Sequence, residues 1–171
     1  MSPRKSRHVS SLTAGEMLFQ SDAGSLTALT ADRFPILEGL SVKRLVLEPG
    51  SIREPHWHAN ATELTYCLSG DLLVGMLGNA DSFSCFTIGS GQMFTAPSGS
   101  LHHIENVGDT TAELIVAFRH ERPEDFSFRA SLAAMSDAVL GNTYGLDASA
   151  FSALDRDGEV PYILHREGEP S

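Results

Sequence analysis

Cysteine is scarce in this sequence: Cys67 and Cys85 are the only two. Two thiols cannot build the framework that holds together a small disulfide-rich secreted domain. Both lie in strand-like stretches and are expected to be buried free thiols, since free cysteine behaves as a small hydrophobe. Basic residues are also few, 12 Lys and Arg against 22 Asp and Glu, giving a formal net charge of −10. A surface this acidic repels phosphate backbones and anionic lipid, which argues against nucleic acid and membrane surfaces as partners. An anionic substrate would have to be captured by local cations. No apolar run approaches the roughly 18 residues of a membrane span. The opening stretch MSPRKSRHVSSLTAGEML has early basic residues but lacks the apolar run of about 7–15 residues that follows them in a secretory signal. The expected location is therefore the cytoplasm. Internal repeats and low-complexity linkers are missing too, so the 171 residues, 42% of them hydrophobic, are expected to form one domain.

What is present is a succession of short strands. Residues 1–15 are polar and basic and are expected to be a disordered arm, residues 16–128 a β-barrel, and residues 129–171 a helical segment and tail packed on it. From about Ile36, the runs LSVKRLVLEPGS, ELTYCLSGD, DLLVGML, DSFSCFTI, QMFTAP, LHHIENV and AELIVAFRH read as strands separated by Gly, Pro and Asn turns. Strands at intervals of about 8–12 residues argue an all-β sandwich or barrel. DSFSCFTI is mostly apolar on both faces and is expected to be covered on both sides. In SLAAMSDAVLG, Leu132, Met135, Val139 and Leu140 fall near one helix face and Gly141 is a plausible C-cap. Asp147 is placed to cap a second short helix, ASAFSAL.

The stretch GSIREPHWHANATEL carries the chemistry. His56 and His58 are two apart, so on a strand both side chains face the same way, with Trp57 opposite. Glu63 follows a small, polar corner, and His102 follows a Pro97-Ser98-Gly99 turn. Three imidazoles and one carboxylate suit Mn, Fe, Co, Ni, Cu or Zn, and leave positions open on a six-coordinate ion. Taken singly, each histidine reads as an ordinary surface or core residue; the pattern as a whole carries the metal reading.

That pattern resembles the cupins. Gly50, His56-x-His58, Glu63 and Gly70 stand at the spacing of the first cupin motif, and Gly91, Pro97-x-Gly99, His102 and Asn106 at that of the second. The resemblance implies an all-β cupin double-stranded β-helix, a jelly-roll barrel, with short C-terminal helices. It implies metal ligation by His56, His58, Glu63 and His102. EPGSIREPHWHANATEL, HHIENVGD and AFRHERPEDFSFRASLAAM further resemble the oxalate decarboxylase and oxalate oxidase (germin-like) branch, in a single-domain form. For that branch the implied cofactor is one divalent transition metal, Mn foremost. The implied activity is an oxalate decarboxylase-like lyase acting on a small carboxylate, with dioxygen as a possible co-substrate. Cupins of this type are often dimers or hexamers, and the C-terminal helices are the expected contact. Two alternatives stand beside the lyase: a dioxygenase or oxidase on another small substrate, and a non-catalytic metal-binding cupin.

Carried over by position, the branch's substrate-polarising arginine falls on Arg53. Strict alternation puts Arg53 on the face opposite His56, and a bulge at Pro55 would restore it. The alternative for Arg53 is a surface salt bridge, for instance with Glu54. The branch's lid string, Ser-Glu-Asn-Ser, is replaced here by RHERPEDFSF, and its second glutamate aligns with Val116. Glu121, Glu124 and Asp125 are the candidate proton donors, against the alternative of a solvated acidic loop. Tyr66 would face either the site or the core. Phe94 and Phe118 read as barrel filling, His103 as facing away from the metal, and Asn60 as orienting the loop before Glu63 or as a turn residue.

Overall fold

The structure, a computed structural model, describes residues 6–79 and 82–166. Alternating burial along most chain segments folds them into two antiparallel sheets. In chain order the strands are β1 (Glu16–Ser21), β2 (Gly24–Leu29), β3 (Ser41–Leu47), β4 (Ser51–Trp57), β5 (Glu63–Ser69), β6 (Asp71–Leu77), β7 (Phe83–Gly89), β8 (Met93–Ala96), β9 (His102–Asn106), β10 (Ala112–Phe118) and β11 (Phe126–Ser127). Helices α1 (Phe128–Ala133) and α2 (Asp137–Tyr144) follow, and β12 (Ile163–His165) closes the described chain. One sheet runs β1-β2-β3-β10-β5-β8; the other runs β11-β4-β9-β6-β7, with β12 also paired to β4. This is the jelly-roll arrangement expected from strand spacing and from the cupin resemblance.

Register stacks the inward residues of the first sheet in layers. Ser41, Phe118, Glu63 and Ala96 are in line across β3, β10, β5 and β8, and the next layer is Lys43, Val116, Thr65 and Phe94. Below them come Leu45, Leu114 and Cys67, then Leu47 with Ala112. The barrel is thus polar at one end and dry at the other. Leu47, Leu72, Val74, Cys67 and Leu114 are fully buried, and each such aliphatic side chain contributes roughly 1.5–3 kcal/mol of hydrophobic stabilisation. This dry floor fixes the strands that carry the polar end. All four glycines of the two motifs, Gly50, Gly70, Gly91 and Gly99, have positive φ. At Gly70 a Cβ would also lie 2.5 Å from the Ala112 Cβ, so only glycine fits.

Several expectations are corrected. The first two strands precede Ile36. β2 is buried along nearly its whole length and β1 is largely exposed, so neither shows alternation. Of the expected disordered arm, residues 1–5 lie outside the described residues. Leu12–Ala14 form a 3-10 turn capped by Ser11, whose side chain accepts from the Thr13 amide. β7 is an edge strand with only Ile88 buried, so it is not covered on both faces, and Cys85 is exposed while Cys67 is buried. SLAAMSDAVLG breaks into two helices at Ser136, which caps α2. The C-cap is Gly145 at φ 68°, not Gly141, which lies inside the helix. Asp147 does cap a short 3-10 helix, Ala148–Phe151, by accepting from the Ser149 amide. The tail is not only helical: β12 returns to pair with Ser51–Arg53. Among the described residues no helix is long and apolar enough to cross a membrane.

Candidate metal centre

β4 and β9 carry two of the four expected ligands, His56 and His102. His56 is in register with His102, but the next pairing, Arg53 with Ile104, takes three steps along β4 and two along β9. The extra residue is a bulge at Glu54-Pro55, as required for Arg53 and His56 to face the same interior. His58 lies just beyond β4, where the loop before β9 is tied to it: the Gly99 amide donates to the His58 carbonyl at 2.9 Å, and Ser98 Oγ donates to the Ala59 carbonyl. Glu63 opens β5 and points inward with Thr65 and Cys67.

His56, His58, Glu63 and His102 converge, each offering one ligand atom within 4.8 Å of the others, and each is at most 3% exposed. Each imidazole is oriented from behind. His56 Nδ1–H donates to the Glu54 carbonyl at 2.8 Å and His102 Nδ1–H to the Ser100 carbonyl at 2.9 Å. His58 Nδ1 lies 3.0 Å from the Glu124 carbonyl and 2.8 Å from Asp125 Oδ1, both pure acceptors. Acceptors at all three Nδ1 atoms leave the Nε2 lone pairs for a metal. Nε2 of His102 is buried without a hydrogen-bond partner, an expensive arrangement unless an ion completes it. Glu63 is steadied by Thr65 Oγ1, which donates to Oε1 at 2.5 Å, while Oε2 lies 2.9 Å from His58 Nε2. The donor set therefore fits a divalent transition ion.

Electrostatics divide the four. Burial and the nearby Arg53 hold His56 well below the ordinary histidine range, so it stays neutral. Burial also opposes charge on His58, but its hydrogen bonds with Asp125 and Glu63 outweigh this and hold it above the ordinary value. Burial would push Glu63 up; the neighbouring His102 and His58 imidazoles reverse this and keep it ionised.

Around the ligands lies a charge cluster that the sequence reading only half anticipated. Arg53 is 3% exposed, so its ion pairs, with Asp125 and with Glu54 at 3.8 Å, are buried rather than on the surface. Its Nη2 donates to Asp125 Oδ2 at 3.3 Å and its Nη1 to the Tyr162 carbonyl at 3.3 Å. Lys43, not singled out from the sequence, points into the barrel, 6% exposed, and donates to both Asp125 oxygens at 2.8 Å. Its signal is its inward register between Ser41 and Leu45. Burial would raise Asp125, but His58, Lys43 and Arg53 hold it far below the carboxylate range. Glu54, anticipated only as a surface partner for Arg53, also belongs to the cluster. Buried beside Arg53, it accepts from Ser127 Oγ at 3.0 Å, and burial pushes its carboxyl up.

The other candidates part company. Asp125 is drawn to the centre by β11, which pairs Phe126 with Trp57 and stacks their rings at 5.4 Å. Glu124 is exposed and reaches the site only through its backbone carbonyl. Glu121 is exposed and accepts from the Gly39 amide at 2.8 Å. Both acids therefore lie off the centre as side chains, because the lid runs outward before β11 pulls it back. Tyr66 faces neither site nor core: β5 alternation turns it outward with Leu64 and Leu68. Phe94 and Phe118 fill the barrel beside the ligands, with Phe118 edge-on to His58 at 4.7 Å. His103 faces away and pairs with Glu105. Asn60 holds the lid, donating to the Arg122 carbonyl and accepting from the Glu124 amide.

The cavity among the ligands, also lined by Lys43 and Arg53, measures about 20 Å³, close to the volume one water occupies. Arg53 and His56 also line a second chamber of about 370 Å³ under α1 and the tail.

Comparison with known proteins agrees with this geometry. The cupin family model matches residues 10–151. Germin-like protein 3-8 of Oryza sativa subsp. japonica is 33% identical over 136 residues, 76% of this chain and 60% of its own. Germin-like protein subfamily 2 member 2 of Arabidopsis thaliana is 34% identical over 117 residues, 67% of this chain and 53% of its own. A deletion mutant of Bacillus subtilis oxalate decarboxylase superposes with a TM-score of 0.84 at 25% identity, covering 94% of this chain and 42% of that one. Another structure of that enzyme, studied for its Mn(II) centres, superposes at 0.81 with 22% identity, covering 91% of this chain and 41% of that one. The chain spans just over half the length of these plant relatives and about two fifths of the decarboxylase.

Proposed function

The chain belongs to the cupin family, on its germin and oxalate decarboxylase branch, and we propose that it is a metal-dependent enzyme acting on a small carboxylate with decarboxylase-like lyase chemistry. One observation carries the reading: the β4 bulge turns the buried Arg53 onto the cavity that His56, His58 and Glu63 line. A guanidinium there grips a carboxylate through paired hydrogen bonds. His56, His58, Glu63 and His102 hold the metal, for which the Mn(II) of the structural neighbour makes Mn the first choice. When bound, the metal supplies Lewis acidity, open positions for substrate and one-electron chemistry with dioxygen.

The chain's own residues do the rest. Three imidazoles held from behind at Nδ1 turn Nε2 toward the ion position. Asp125 anchors Lys43, Arg53 and His58 together, so the carboxylate-binding cation is fixed relative to a ligand. Phe118 and Ile104 wall the small cavity against bulk water, which strengthens each charge interaction inside it.

Incubation of Mn-loaded protein with oxalate under air tests the reading, with formate and carbon dioxide as expected products. No turnover of any small carboxylate, with metal bound and the fold intact, overturns it. A specific observation favours a second reading, an oxidase or dioxygenase. The only lid acid at the centre, Asp125, is held as an anion by two cations, so it donates no proton near neutral pH. Oxygen consumption matching substrate loss, without formate, would select that reading.

A further inference from the structure

The two cavities that meet at Arg53 differ sharply in size and lining. The inner one, about 20 Å³, has room for about one ion or one water. The outer chamber is about 370 Å³, within the range of sites that hold small organic ligands. Phe126, Ala130, Ala134, Val160 and Tyr162 give it a largely apolar wall. Its charged lining is Arg53 with Glu54 and Asp125 beside it, so it carries more negative than positive charge.

The Arg53 guanidinium stands where the two spaces join, 5.2 Å from the centre of the Tyr162 ring. Of its five N–H groups, the described residues engage one on Nη1 and one on Nη2. Nη1 also lies 3.8 Å from Glu54 Oε1, and the remaining N–H groups are free to meet a ligand oxygen. A second carboxylate extending outward from Arg53 would meet Glu54 and Asp125 at close range, a like-charge repulsion. An apolar group extending the same way would meet alanine, valine and aromatic surface.

We infer that the preferred substrate is a monocarboxylate with a compact apolar body, a branched-alkyl or aryl group, whose carboxylate sits at Arg53 and the metal centre while the body fills the chamber under α1 and the tail. The inference rests on the proposed function, because it takes that reading's carboxylate site as given. It narrows the substrate away from a bare dicarboxylate such as oxalate. It also gives the C-terminal segment Val160–Tyr162 a part in specificity, since that segment forms one wall.

The test compares acids that share a head group. Glyoxylate and 4-methyl-2-oxopentanoate both present a 2-oxo carboxylate, and only the second carries an isobutyl body. Dissociation constants are measured by calorimetry on Mn-loaded protein, with oxalate alongside. The branched acid is expected to bind at least about tenfold more tightly than glyoxylate, as burial of several methylene equivalents requires, and more tightly than oxalate. Ala134→Trp, at the exposed end of α1, fills the chamber. It should bring the ratio of the two 2-oxo acid constants close to one, with circular dichroism confirming the fold; Ala130→Leu serves if that variant does not fold. Equal binding of glyoxylate and the branched acid, tighter binding of oxalate, or a ratio unchanged in the filled variant each overturns the inference and leaves the carboxylate site standing. Failure of all three acids to bind removes the carboxylate site and the inference with it.

Discussion

Replacing Asp125 by Asn probes the charge cluster most sharply. In the folded chain Asp125 faces Lys43 through both oxygens at 2.8 Å, Arg53 at 3.3 Å and His58 Nδ1 at 2.8 Å. The Lys43 and Arg53 side chains are 8% and 4% exposed, so water cannot replace the lost charge. Breaking a buried ion pair by neutralising one partner costs about 3–5 kcal/mol. Asparagine keeps one acceptor oxygen, so a loss near the lower end, about 3 kcal/mol, is expected. For a chain of this size that corresponds to a Tm lowered by about 6–12 °C. The assay is urea and thermal unfolding of metal-free protein, with Lys43→Met and the double variant completing a cycle. A coupling energy of about 1.5 kcal/mol or more between the two positions is expected for a direct buried pair. A D125N variant within about 0.5 kcal/mol of wild type, or strictly additive effects, would refute the assignment of Asp125 as the counterion that holds the centre together.

Other consequences follow from the same geometry. Arg53→Ala should weaken carboxylate binding by about a hundredfold while metal content is unchanged, read by calorimetry and elemental analysis. Acid should act through Asp125. Its folded pKa lies below the unfolded value of about 3.9, so its contribution is present above that pH and is lost as pH falls below it. The stability gap between wild type and D125N should therefore narrow from about pH 4 downward, followed by urea midpoints. A thiol reagent should modify Cys85, on the exposed edge strand, quickly, and Cys67, buried in the barrel, only on unfolding; equal rates would contradict the strand placement.

What the sequence discloses and what it conceals have physical reasons. The four convergent residues are legible because a metal admits few residue types, and the spacing of His56, His58, Glu63 and His102 is set by one strand face and two turns that need glycine. The bulge at Pro55 is legible for the same reason, since Arg53 and His56 could share a face only through an extra residue. β1 and β2 are not legible as alternation, because one is nearly all exposed and the other nearly all buried. Lys43 hides because a lysine in an alternating run reads as the solvent face, and only the register of β3 against β10 turns it inward. The lid acids cannot be ranked from sequence. Which one reaches the centre depends on β11, two residues long, held by the stacking of Phe126 on Trp57. The chamber is equally silent, because its walls come from α1 and from a tail some 30 residues further on that returns to β4.

Metal content under matched purification tests the account most directly. Wild-type protein loaded with Mn and freed of excess should hold one divalent ion per chain by elemental analysis. His102→Ala and Glu63→Ala, each folded by circular dichroism, should hold far less. Full occupancy in both variants, or an empty wild type after loading, would contradict the centre on which the function rests.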